Sequence, residues 1–181
     1  MGIYRILSSF LILFMAGSLF FLRPVFADEN DTAAVNMLIP SICKLVIDGS
    51  DQTINLLKDA SGEEAYEKGY AKGKKNSPAL VVDSNTNWKL SVKVGSDWSK
   101  VGKYKKATED IELKIKSNTG HQTGFTDFTP LSLASQEIAR HDTGTGDDIY
   151  KGRYRIRLDW EKDIPGSYSI VIVFTLSTQS F

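Results

Sequence analysis

A period of two runs through the second half of this chain. In residues 88–94, Trp88, Leu90, Val92 and Val94 fall on one face and Lys89, Ser91 and Lys93 on the other. Ile111, Leu113 and Ile115 repeat the pattern, and in residues 154–160 Tyr154, Ile156, Leu158 and Trp160 alternate with Arg155, Arg157 and Asp159. Successive side chains of a strand point to opposite faces, so this period marks half-buried strands, not helices. Residues 168–177 go further. Tyr168, Ile170, Ile172, Phe174 and Leu176 share one face, and Val171, Val173 and Thr175 the other. Apolar on both sides, this segment is expected to be a central strand, not a rim.

The rest of the chain fits the same class. Residues 35–47 are β-rich but contain Pro40, which cannot donate to a ladder, so they read as an arm followed by a strand over 42–47. Further strands are expected at 53–57, 79–82 and near 129–133, where Pro130 would confine the strand to an edge. Residues 117–148 are otherwise polar, with turn residues throughout. Between 58 and 78, Ser61 with Glu64 suggests a capping box, and Tyr66 and Tyr70 sit four apart. Gly69 and Gly73 limit the helix, leaving a short helix or loop insertion near 61–75. The expected fold is all-β, an antiparallel immunoglobulin-like β-sandwich of about seven to nine strands.

Residues 1–27 have the layout of a secretory signal peptide. Arg5 precedes an apolar run over 6–22, and Val25-Phe26-Ala27 supplies small residues at the cleavage positions. The run is short of the roughly 20 residues that span a bilayer. The expected organisation is therefore a signal peptide over 1–27, an arm over 28–41 and one sandwich domain over 42–181. The expected location is extracellular, at the cell surface or in a periplasm. Without Arg5 and Arg23, 20 basic residues face 22 acidic ones, which gives no pull towards nucleic acid. Cys43 is the single cysteine and cannot form a disulfide within the chain. It reads as a small buried residue on a strand, or as an intermolecular link.

Chemistry is sparse. His121 and His141 lie in the polar stretches TGHQTG and RHDTGTG and read as exposed loop residues. No metalloprotease, nucleophile-elbow, phosphate-loop or CxxC pattern is present, so no catalytic residue, cofactor or metal is assigned and the chain reads as a non-enzyme. Glu63 and Glu64 sit in a flexible charged stretch. The acidic loops Asp48–Asp51 and Asp142–Asp148 have oxygen ligands that suit Ca²⁺, yet Asp and Gly are also what turns require. Residues 97–106 interleave aromatics with lysines. Trp98, Lys103, Tyr104 and Lys105 could contact a glycan, or Trp98 could fold back onto the core.

Two short motifs carry a family likeness. Leu80-Val81-Val82-Asp83 followed by Trp88-Lys89-Leu90 resembles the first motif of WxL-domain surface proteins of Gram-positive bacteria. The run from Tyr168 through Phe174 to Leu176 resembles their second. Phe174 stands where the family has tryptophan, Asn87 where glycine is usual, and the proline after the second motif is absent. The resemblance implies a β-sandwich held noncovalently at the cell wall through peptidoglycan. The chain is also similar to secreted fimbrial subunits of the spore-coat-U type, exported sandwiches whose alternating last strand often follows Gly-x-Tyr, as in Gly166-Ser167-Tyr168. That likeness implies self-assembly, with residues 28–42 inserted as a strand into the next subunit. Such subunits usually keep a disulfide, which this chain cannot form.

Overall fold

The computed structural model describes residues 37–49, 51–54 and 61–178. The expected signal peptide, positions 28–36 of the arm and positions 55–57 of the expected second strand lie outside the described residues. Residues 53 and 54 are described and are not in a strand.

Alternation becomes two antiparallel sheets. The strands are β1 (Cys43–Asp48), β2 (Tyr70–Lys72), β3 (Ala79–Ser84), β4 (Trp88–Ser96), β5 (Ile111–Ser117), β6 (Thr129–Pro130), β7 (Gln136–His141), β8 (Thr145–Arg157) and β9 (Val171–Thr178). The larger sheet runs β1-β3-β8-β5-β6, with β2 also on β8, and the smaller runs β7-β4-β9. β8 is the spine of the larger sheet. Its first half pairs with β3, its second half with β2, and β5 pairs along its other edge. The fold is the expected all-β sandwich with a short helical insertion, α1 (Ser61–Glu67). Gly69 ends that helix: it holds φ +72°, where a side chain would be strained, and its N–H reaches back to the Tyr66 carbonyl.

The core lies between the sheets and follows the period of two. Leu80 and Val82 of β3, Leu113 and Ile115 of β5 and Tyr150 of β8 meet Trp88, Leu90 and Val92 of β4. Trp88 is fully buried, and its indole Nε1–H donates to the Thr145 hydroxyl at 3.0 Å. The Asp83–Asn87 turn before it is held from the other side. A side chain at Gly144 would meet the Asn85 backbone at 2.7 Å, so only glycine lets these turns close on each other.

Several expectations need correcting. The polar stretch 117–148 contains all of β7 and the start of β8. β7 buries only Ile138 and Ala139, and the start of β8 carries Asp147 and Asp148, so neither shows a hydrophobic face in sequence. Tyr70 belongs to β2, not to the helix of Tyr66. Trp160 lies beyond the end of β8, exposed, with its ring 4.6 Å from that of Tyr66. The largest correction concerns β9. It is not central: among the described residues it forms one edge of the three-stranded sheet, paired only with β4.

A buried charge is the other feature the alternation did not show. Glu112 of β5 is 1% exposed. Arg155 and Arg157 of β8 both pair with it, Arg157 at 2.6 Å. Arg155 lies in turn over Phe128 at 4.3 Å and Tyr70 at 5.3 Å. Arg157 and Asp159 share a face in the alternation, but β8 ends at Arg157 and its guanidinium is turned to Glu112.

Candidate functional site

The two motifs that stood apart in sequence are neighbours in space. β4 and β9 pair so that Trp88 faces Thr178, Leu90 faces Leu176 and Val92 faces Phe174. Trp88 and Leu90 are fully buried, whereas Phe174 and Leu176 are only half-buried against the same core. Tyr168 precedes β9. Its hydroxyl donates to the Ile164 carbonyl at 2.6 Å, and its ring meets that of Tyr104 edge-on at 6.0 Å.

The half-burial has a geometric cause. β4 covers one long edge of β9, and the other edge has no ladder partner among the described residues. Across from it runs β1, the edge strand of the opposite sheet, which approaches within 8 Å, Cα to Cα, without joining β9 in a ladder. Cys43 and Leu45 on β1 and Ile170, Ile172, Phe174 and Leu176 on or next to β9 are all partly buried. They line an apolar seam between two unpaired edges. Val171 is exposed on the outer face. A long, apolar, unpaired edge is a template for another strand, and monomeric proteins usually blunt such edges with charge or proline. β9, VIVFTLST, has neither.

The chain enters the sandwich beside this seam. The Asn85 amide group accepts from the Ile42 N–H at 2.7 Å and donates to the Pro40 carbonyl at 2.8 Å. Asn85 therefore pins residues 40–42 at the start of β1. Met37, Leu38 and Ile39, just upstream, are exposed, Leu38 at 94%.

Residues 97–106 are organised differently from an open glycan platform. Trp98 is buried at 5% exposure, and its Nε1–H has no acceptor. Lys105 pairs with Asp97 at 2.8 Å, and Lys103 is exposed. Tyr104 donates to the Asp163 carboxylate at 2.8 Å, and Lys106 reaches the same oxygen at 2.6 Å. The Lys106 and Asp163 side chains are both almost fully buried and form an ion pair that residue spacing does not reveal. Burial pushes the Asp163 carboxyl up, but Lys106, the Asp159 N–H and Tyr104 together hold it below its ordinary value. Asp110, beside the same lysine at 3.8 Å, goes the other way because burial dominates there.

The acidic loops do not gather into a cage. Asp48 and Asp51 are exposed, Asp83 accepts from the Asp147 N–H, and Asp148 is buried against His121. Among the described residues no group of three or more His, Cys, Asp or Glu side chains is placed to hold a metal ion. His121 and His141, expected as separate loop residues, stand ring to ring. No described helix is long and apolar enough to cross a membrane.

No family model matches the chain, and no curated protein matches it. Among solved structures it is similar to the P pilus rod subunit PapA, with a TM-score of 0.40 and 13% identity over 76% of this chain and 99% of that one. It is also similar to a subunit from a chaperone–usher pilus whose structure addresses rod uncoiling, with a TM-score of 0.39 and 11% identity over 84% of this chain and 97% of that one.

Proposed function

We propose that this chain is an exported structural subunit that assembles with copies of itself by strand addition at β9. The observation that carries the reading is the position of β9: an apolar strand without charge lies at an edge, half-covered, opposite β1, whose outer edge is likewise unpaired among the described residues. The occupant is the arm of another copy, residues 28–42, whose last residues, 40–42, stay held by Asn85 in their own subunit while the part upstream of them reaches across. Main-chain bonds to β9 would supply affinity, and alternate side chains entering the seam would supply register. A strand paired with both β1 and β9 needs about 10 Å between them. The seam therefore opens by at least about 2 Å where the two now approach within 8 Å.

The test uses the chain without residues 1–27. Filaments or ladders are expected on native gels and in electron micrographs, and they should vanish when residues 28–42 are deleted. A synthetic peptide of residues 28–42 should then bind the shortened chain and raise its Tm. A monomer in every case, with no response to the peptide, refutes the reading. Wall-polymer binding through Trp98, Lys103, Tyr104 and Lys105 has less support, since Trp98 is buried and Lys105 is paired with Asp97. Co-sedimentation of the monomer with peptidoglycan would favour it.

A further inference from the structure

At the end of the sandwich that carries Trp88, two histidines converge that neither the sequence reading nor the assembly reading uses. His121 lies in the turn after β5, and His141 is the last residue of β7. The two segments are clipped together by the Arg140 N–H donating to the His121 carbonyl at 3.2 Å and by a bridge between Gln122 and Ala139. Their ring centroids are 3.8 Å apart with planes tilted by 51°. Trp88 is the floor, edge-on to His121 at 6.4 Å and stacked under His141 at 6.5 Å. Above them is an open cleft of about 490 Å³, rimmed by Thr123, Arg140, Asp142 and Thr143.

The neighbours of each ring decide which nitrogen is available. His121 Nδ1 is 2.7 Å from Oδ2 of Asp148, whose side chain is 5% exposed. The Tyr150 hydroxyl donates to the same carboxylate oxygen at 3.4 Å. The Nδ1–Oδ2 contact fits a ring that donates from Nδ1, and that tautomer keeps the lone pair on Nε2. His141 Nδ1 is 3.0 Å from the Thr143 carbonyl and 3.2 Å from the Thr143 N–H, so this ring can take either tautomer. The Thr143 hydroxyl is also 3.0 Å from Nδ1, and binding through Nε2 selects the tautomer whose Nδ1–H donates to the Thr143 carbonyl. A ring nitrogen held by a carboxylate or carbonyl is the usual outer support of a histidine whose other nitrogen binds a metal.

We infer that His121 and His141 form a two-histidine chelating site for a divalent first-row transition ion, bound through both Nε2 atoms, with water filling the remaining positions. Imidazole suits zinc, nickel and copper, and the general affinity order puts Cu²⁺ first. Metal–nitrogen bonds of about 2.0 Å with an angle between about 90° and 110° place ring centroids about 4.5–5 Å apart. The pair therefore opens by about 1 Å on binding. Arg140 is the nearby cation that opposes this, and its guanidinium is drawn towards Glu137 at 3.7 Å. The site is separate from the β9 edge, so it stands whether or not the chain assembles.

The probe is Cu²⁺ alone, added to the chain carrying Cys43→Ser so that the half-exposed thiol does not compete. Saturable quenching of tryptophan fluorescence at one equivalent is expected, because Trp88 touches both rings. His121→Gln and His141→Gln should each weaken binding at least about tenfold, and Asp148→Asn about tenfold by loosening the outer support. Quenching that is not saturable, or that persists unchanged in the double histidine variant, overturns the site. A readout that needs no histidine variant is diethylpyrocarbonate labelling followed by mass spectrometry. Cu²⁺ should shield both His121 and His141, and equal labelling of either with and without Cu²⁺ also overturns it.

Discussion

β8 and β9 are the two most informative strands of this protein, and they are opposites. β8 runs for 13 residues and carries Asp147, Asp148, Lys151, Arg153, Arg155 and Arg157, yet it is the spine of its sheet, paired along both edges. β9 carries no charge, is apolar at five of its eight positions, and is paired along one edge only among the described residues. Composition therefore does not report position in a sheet. β8 can be central because its charges are matched: Glu112 takes Arg155 and Arg157, and His121 takes Asp148. β9 can stand at an edge only at a cost, with Ile172, Phe174 and Leu176 half in water. The strand whose buried polar groups have partners is closed along both edges, and the half-covered strand has an edge that is free among the described residues.

Four measurements bear on that contrast. The largest effect is expected at Trp88, on the strand that carries β9. Trp88→Ala should cost about 3–5 kcal/mol in urea unfolding, as for other large buried aromatics. A loss below about 1 kcal/mol would mean that the smaller sheet is only loosely docked. Next comes Lys106→Ala, which strands the Asp163 carboxylate in the interior next to the residues leading into β9. About 3 kcal/mol is expected, since breaking a buried pair leaves an uncompensated charge. Calorimetry showing no change in Tm would contradict the burial of this pair.

Phe174→Ala is expected to cost only about 2 kcal/mol in the chain lacking residues 28–42, because the ring is already half-solvated. The cost should grow when the 28–42 peptide is bound. An equal cost in both states would mean that the peptide does not cover β9. The smallest effect is on pH dependence. The folded-state pKa of Asp163 lies below its ordinary 3.8, so its stabilising contribution is full above that value and fades as pH falls beneath it. Asp163→Asn should therefore flatten the acid limb of a stability profile below about pH 4. An unchanged slope would show that this carboxylate is not held in its ionised form.

Where one face of a strand was buried and the other wet, the sequence was legible. Trp88, Leu90 and Val92 on β4 and Ile111, Leu113 and Ile115 on β5 sit on the faces that the alternation predicted. β7 and the first half of β8 were illegible for the converse reason: β7 buries only the adjacent Ile138 and Ala139, and the first half of β8 carries Asp147 and Asp148, whose partners come from elsewhere in the chain. Asp148 reads as a turn residue until His121, 27 positions away, is beside it. Lys106 reads as a surface lysine until Asp163, 57 positions away, closes on it.

The sequence by itself determined the class of fold, because a period of two leaves a strand only one way to bury its apolar face. It also determined which side of each alternating strand looks inward. Only the tertiary structure decided which strands are interior and which are edges, because a strand's own residues do not say how many neighbours its backbone will find. The same holds for the histidines and the buried ion pairs. Charge and lone pairs become chemistry only at distances of about 3 Å, and residues so far apart along the chain reach those distances only when the sheets close.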